Sequence, residues 1–108
     1  MADDVMGEFK RVAVLSDVVS GTVIGVDVDG HRIAICNHEG DIRAVDGTCT
    51  HADADLCDGD LEDGELVCPL HFATFCTKTG HATAPPADEP LRVYEVKVDG
   101  EDILVKID

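Results

Sequence analysis

Two cysteine–histidine pairs constrain this chain more than any other feature: Cys49-Thr50-His51 and, after sixteen intervening residues, Cys68-Pro69-Leu70-His71. Each pair sets a soft thiolate close to an imidazole. On a hairpin tip both side chains of such a pair can turn the same way, so two facing tips present two sulfurs and two nitrogens to one centre. Two metal chemistries suit that donor set, a structural Cys2His2 zinc ion and a [2Fe–2S] cluster with two imidazoles on one iron. The order of the residues favours the cluster. Structural zinc usually draws paired Cys from one knuckle and paired His from elsewhere. Here each segment carries one of each, as a cluster needs when one iron takes both thiolates and the other both imidazoles.

The scaffold around these segments reads as β-structure. Short β-rich runs at Phe9–Leu15, Thr22–Val28, His31–Cys36, Asp41–Val45, Leu91–Val98 and Ile103–Ile107 alternate with turn residues. Asp29-Gly30 and Asp99-Gly100 are expected as tight hairpin turns, and His38-Glu39-Gly40-Asp41 as a slightly longer one. Along the last run Ile103, Val105 and Ile107 share one face, the period-two pattern of a sheet over a core. No helix of consequence is expected. The stretch from Thr48 to about Ala87 is rich in Cys, His, Gly, Asp and Pro, and reads as loops and short hairpins inserted into an antiparallel scaffold. A long irregular segment inside a compact domain usually carries function.

At 108 residues the chain fits one domain, and a domain of this size buries only about two-thirds of the surface its unfolded chain exposes. A centre that ties loops together therefore adds useful stability. No apolar run approaches the roughly 20 residues of a membrane span, and the first residues are acidic where a signal peptide is basic. A cytoplasmic location is expected. Eight basic against twenty-three acidic residues give a net charge of −15, which repels nucleic acid and anionic membranes and suits a positively charged protein partner.

Five cysteines cannot all pair within one chain. Cys36 falls in an alternating strand and is expected as a small buried hydrophobe; Cys57 and Cys76 flank the cluster segment and are expected as free thiols. His31, His38 and His81 lie near turns and are expected to be solvated. The acidic run Asp53–Glu65 fails as an EF-hand, because Asp63 stands where Gly is needed and Pro69 where the bidentate Glu is needed.

On Cys49-x-His51 and Cys68-x-x-His71 the sequence resembles the Rieske family, and within it the ferredoxins that serve bacterial aromatic-ring-hydroxylating dioxygenases. The likeness covers nearly the whole chain, taking in Phe75, Thr79-Gly80, the Pro85-Pro86 loop and the Tyr94-x-Val96 hairpin. It implies an all-β Rieske iron–sulfur fold, with antiparallel sheets forming a base domain and a small cluster-binding subdomain inserted at about 46–87. It implies one Rieske-type [2Fe–2S] cluster on Cys49, His51, Cys68 and His71, with the imidazoles as the solvent-facing electron port and Pro85 and Pro86 shielding the cluster. It implies a monomeric one-electron carrier, not an enzyme, that takes electrons from a flavin-containing ferredoxin reductase. The acceptor is the Rieske centre of a terminal oxygenase, expected to present a basic docking patch. The rival readings are a structural zinc or redox-sensing module and the small subunit of an assimilatory nitrite reductase.

The same resemblance sets the potential. High-potential relatives join their two cluster loops by a disulfide, where this chain has Ala54 and Leu70, and donate hydrogen bonds from a Ser and a Tyr, where it has Ala73 and Phe75. A low potential follows, since hydrogen bonds to the sulfurs favour reduction. Phe72 departs from the relatives' usual Gly and places a large apolar ring beside His71.

Overall fold

The computed structural model describes residues 9–48, 55–69, 73–84 and 90–106. They form ten strands: β1 (Phe9–Val14), β2 (Val23–Val28), β3 (His31–His38), β4 (Asp41–Asp46), β5 (Asp60–Glu62), β6 (Glu65–Val67), β7 (Thr74–Cys76), β8 (Ala82–Ala84), β9 (Val93–Asp99) and β10 (Asp102–Lys106). Helical structure among the described residues is limited to single 3₁₀ turns at Leu15–Asp17 and Leu56–Asp58. Six strands make a sheet in the order β1-β10-β9-β4-β3-β2, and four make a smaller one in the order β5-β6-β7-β8. All pairings are antiparallel.

Three of the connections are two-residue turns with positive φ at both central positions: Asp29-Gly30, Glu39-Gly40 and Asp63-Gly64. That is the turn whose twist matches the strands it joins, and Gly supplies the second left-handed residue without a Cβ clash. The turn after β3 is therefore shorter than its sequence suggests, because His38 pairs directly with Asp41. At the last hairpin Asp99 pairs with Asp102, so Gly100-Glu101 is the turn and Asp99 belongs to the strand. Asp63-Gly64, within the acidic run, makes the hairpin of β5 and β6.

Two cores explain the order of the layers. Ile33, Ile35, Ile42, Ala44, Tyr94, Ile103 and Val105, with Val18, fill the inside of the larger sheet. Ala34, Cys36 and Val45 face the other way and meet Leu56, Leu66, Cys68, Ala73, Phe75 and Leu91. The central strands β3 and β4 are thus buried on both faces, and Ile33 to Asn37 is continuously buried. Cys36 is the small buried hydrophobe expected, with no exposure. Leu91 stops short of β9, because its N–H donates to the carbonyl of Gly80 at 2.7 Å and leaves the ladder.

Candidate metal centre

The register of the small sheet decides where the cluster segments begin. Asp60 pairs with Val67, Val67 with Thr74, and Thr74 with Ala84, so these four residues form one row across the sheet. The chain enters β5, turns between β6 and β7 and leaves β8 at that same end. Three separate segments therefore start from one edge: the one preceding β5, the tip 68–73, and the one following β8.

Each base is closed by backbone pairing. Thr48 bridges to Asp55, and the N–H of Leu56 donates to the carbonyl of Gly47 at 2.7 Å, which brackets 49–54. Cys68 donates its N–H to the carbonyl of Ala73, also at 2.7 Å, which brackets 70–72. The Leu91 to Gly80 bond spans the segment that holds Pro85 and Pro86. The bases also touch one another. A Cβ on Gly59 would overlap the carbonyl oxygen of Val67 and lie 3.3 Å from Cδ of Pro69, so only glycine lets the chain after the first segment lie against the base of the second.

Of the four expected ligands, Cys68 lies within the described residues, while Cys49, His51 and His71 lie outside them, as do Ala54, Leu70, Phe72, Pro85 and Pro86. Cys68 has no solvent exposure and shares a core with Leu56, Leu66, Ala73 and Phe75. A dry apolar wall behind the Cys68 sulfur fits a cluster buried on that side. Ala73 and Phe75 are both fully buried in that wall and bring no side-chain hydroxyl to it.

The remaining cysteines are placed apart from this tip. All four described cysteines, Cys36, Cys57, Cys68 and Cys76, are free of disulfides. Cys57 packs against the core that holds Cys36 and lies 4.0 Å from the carbonyl oxygen of Ile33. Burial first, then Asp55, pushes the Cys57 thiol up to about 12; burial and the neighbouring Cys57 push Cys36 up to about 12. Cys76 goes the other way, held below its ordinary value by hydrogen bonds from Thr79 and Lys78 and by the charge of Arg43. His31 and His38 are half-buried rather than solvated, His31 edge-on to Tyr94 with ring centroids 6.4 Å apart, while His81 is exposed as expected.

Two arginines that sequence reading overlooked lock this region to the larger sheet. Arg32 on β3 reaches Asp55, Nη2 to Oδ2 at 2.8 Å and Nε to Oδ2 at 3.3 Å. Arg43 on β4 pairs with Asp41 at 2.9 Å and donates to Oγ1 of Thr77 at 3.0 Å, and the buried Thr77 hydroxyl donates to the carbonyl of Gly64 at 2.6 Å. Burial works against the Asp55 carboxylate, but the bonds from Arg32 and from the N–H of Cys57 prevail and hold its pKa below the usual value. The available signal was a cation in each of two strands otherwise destined for the core, since a charge there needs a partner. Among the described residues no group of three or more His, Cys, Asp or Glu side chains is arranged to hold a metal ion. The described acidic residues of 55–65 therefore make no calcium site.

Comparison with known proteins agrees with this geometry. The model of the Rieske [2Fe-2S] domain matches residues 8–95. The chain is 43% identical over 93 residues to the ferredoxin component of the naphthalene 1,2-dioxygenase system of Pseudomonas putida, covering 86% of this chain and 89% of that one. The solved ferredoxin of carbazole 1,9a-dioxygenase from Nocardioides aromaticivorans IC177 superposes with a TM-score of 0.89 at 36% identity, over 93% of this chain and 98% of that one. A complex of reduced oxygenase and oxidized ferredoxin in carbazole 1,9a-dioxygenase matches with a TM-score of 0.86 at 31% identity, over 91% of this chain and 92% of that one. The small subunit of an NADH-dependent nitrite reductase from Mycobacterium tuberculosis shares the fold alone, at 19% identity and a TM-score of 0.82, over 94% of this chain and 96% of that one.

Proposed function

The chain belongs to the Rieske [2Fe-2S] family, and from that premise we propose that Cys49, His51, Cys68 and His71 hold its cluster, with both imidazoles at the electron port. The protein is an electron carrier, the ferredoxin component of an aromatic-ring-hydroxylating dioxygenase system, and not itself an enzyme. It carries one Rieske [2Fe–2S] cluster and delivers electrons to a terminal oxygenase. The readings as a zinc module and as a nitrite reductase subunit give way to this one.

One observation carries the ligand assignment: both segments bearing the Cys–His pairs stand on closed backbone bases, and Gly59, on the chain leading from the first, lies against Val67 and Pro69 at the base of the second. The cluster, when bound, accepts and releases a single electron. The chain's own residues supply the rest. Leu56, Leu66, Ala73 and Phe75 exclude water from the Cys68 side, Arg32 ties the larger sheet to Asp55 at the base of the first segment, and Arg43 ties it to Thr77 beside the small sheet.

The cluster-binding subdomain corresponds to about 46–87, a span supported by the second sheet, whose strands run from Asp60 to Ala84. A flavin-containing ferredoxin reductase is the electron donor, and the oxygenase meets this chain through a basic patch. The net charge of −15 supports that complement. No helix among the described residues is long and apolar enough to cross a membrane. A cytoplasmic monomer is part of this proposal. Iron and sulfide analysis of the purified protein tests the reading. Two irons and two sulfides per chain are expected, and each of Cys49→Ala, His51→Ala, Cys68→Ala and His71→Ala should lose the normal cluster. Stoichiometric zinc without iron would overturn it.

A further inference from the structure

We propose that Arg32 is the positioning residue of the first ligand segment, gripping both of its ends from one point on β3. The inference rests on the assignment of Cys49 and His51 as ligands. Its carbonyl oxygen accepts the N–H of Gly47 at 2.8 Å, on the near side of the segment. Its guanidinium holds Asp55 on the far side, at 2.8 Å and 3.3 Å, and reaches Asp27 at 3.3 Å. Asp55 in turn bridges to Thr48 and accepts the N–H of Cys57 at 3.0 Å, which starts the 3₁₀ turn that follows. One residue thus ties down both flanks, the chain before Cys49 through its backbone carbonyl and the chain after the segment through its guanidinium.

The path of Arg32 is built into the surrounding chain. A Cβ on Gly47 would lie 2.9 Å from its Cγ, and one on Gly25 would lie 2.6 Å from its Nη2 and 2.8 Å from Sγ of Cys57. Two glycines, distant in sequence, leave the channel through which the side chain passes. A planar fork is required here, because Nε and Nη2 face one carboxylate while Nη1 faces another; a lysine has one charged point and cannot make all three contacts. Arg43, paired with Asp41 of its own strand, holds the small sheet through Thr77 and touches neither end of 49–54 among its described contacts. It is the natural comparison, a more buried anchored arginine without the grip on a ligand segment.

The test compares Arg32→Met, Arg32→Lys and Arg43→Met in the cluster-loaded protein. It reads the electron paramagnetic resonance line widths of the reduced cluster at equal occupancy and the rate at which a chelator removes iron. Arg32→Met should broaden the spectrum and release iron roughly tenfold faster, the order expected for losing a charge-assisted bond. Arg32→Lys should also leave the spectrum broadened, because the charge returns but the fork does not. Arg43→Met should keep the parent line widths. Asp55→Asn keeps the shape and the acceptor for Cys57, and should reproduce the broadening if Arg32→Met fails to fold. Parent-like line widths and release in Arg32→Met, or the same changes in Arg43→Met, would overturn the inference while leaving the ligands in place. A parent protein without two irons and two sulfides would overturn the ligand assignment itself, and this inference with it.

Discussion

Cys68 and Ala73 close the tip of the β6–β7 hairpin through one backbone bond of 2.7 Å, and both lie fully buried in the core that also contains Phe75. The wall behind the Cys68 sulfur is therefore apolar, and if Cys68 holds the cluster as proposed, the potential should respond to a hydroxyl placed in it. Ala73→Ser and Phe75→Tyr should each raise the midpoint potential. A hydrogen bond to a charged group is worth about 1.5–3 kcal/mol, and 59 mV is a factor of ten for one electron. A shift on the order of 50–100 mV is expected if most of that bond is gained on reduction. Voltammetry on the single and double variants checks it; unchanged potentials with intact clusters would show that these positions do not govern the sulfurs.

Phe75 is the largest fully buried side chain among the described residues. Truncating a buried Phe to Ala removes its transfer energy and leaves a cavity, typically costing about 3–5 kcal/mol. Phe75→Ala should lower the unfolding free energy by that order and weaken cluster retention with it, because the same residue packs in the core that buries Cys68. Denaturant titration of parent and variant gives the number. A loss below about 1 kcal/mol would mean that the two sheets pack without it.

Docking should depend on salt. Asp58, Asp60, Glu62 and Asp63 are exposed, and no Lys or Arg occurs from Ala44 to Thr77. Asp55, in the same acidic run, is already committed to Arg32, so it contributes structure rather than free field. Raising ionic strength from about 0.01 to 0.15 M shortens the Debye length from roughly 30 to 8 Å. The rate of association with the oxygenase should fall markedly over that range, with the cluster spectrum unchanged. Asp58→Asn, Asp60→Asn and Asp63→Asn together should flatten the dependence. A rate indifferent to salt in parent and triple variant alike would assign the acidity to solubility.

Thiol chemistry should separate the three cysteines outside the expected ligand set. Cys76, held down by Thr79, should be alkylated first by iodoacetamide at pH 8 in the loaded protein, while Cys36 and Cys57, both pushed up to about 12, should stay protonated and slow. Peptide mass spectrometry gives the order. The same two thiols predict alkaline weakening. Above about pH 8.5 the unfolded chain ionises them and the folded chain does not, so their contribution is complete below that value and is lost as pH rises towards 12. Cys36→Ala should reduce the steepness of that fall.

Asp55 predicts the acid limb. Its carboxyl is held below the ordinary value near 4, so its ion pair with Arg32 contributes fully above that value and is lost as pH falls through the lower folded one. Asp55→Asn should leave neutral stability reduced and the acid fall shallower. Thermal melts between pH 3 and 7 measure both. An acid limb of the same slope in parent and variant would assign acid sensitivity to other carboxylates.

The candidate ligands and the all-β class were legible along the chain because both are local facts. A thiolate and an imidazole two or three residues apart can serve one centre whatever surrounds them, and period-two patterning with Asp-Gly turns needs only the strand and its neighbour. The tertiary structure alone decided which residues support that centre. Arg32 and Asp55 stand twenty-three positions apart and Arg43 and Thr77 thirty-four, and nothing within either segment specifies its mate. Cys57 and Cys76 look alike in sequence, yet burial raises the first, while the Thr79 side chain and then backbone N–H groups lower the second. The row Asp60, Val67, Thr74 and Ala84 came from strand register. Register is fixed by which side chains fill a shared core, and that selection is made only when distant strands pack against one another.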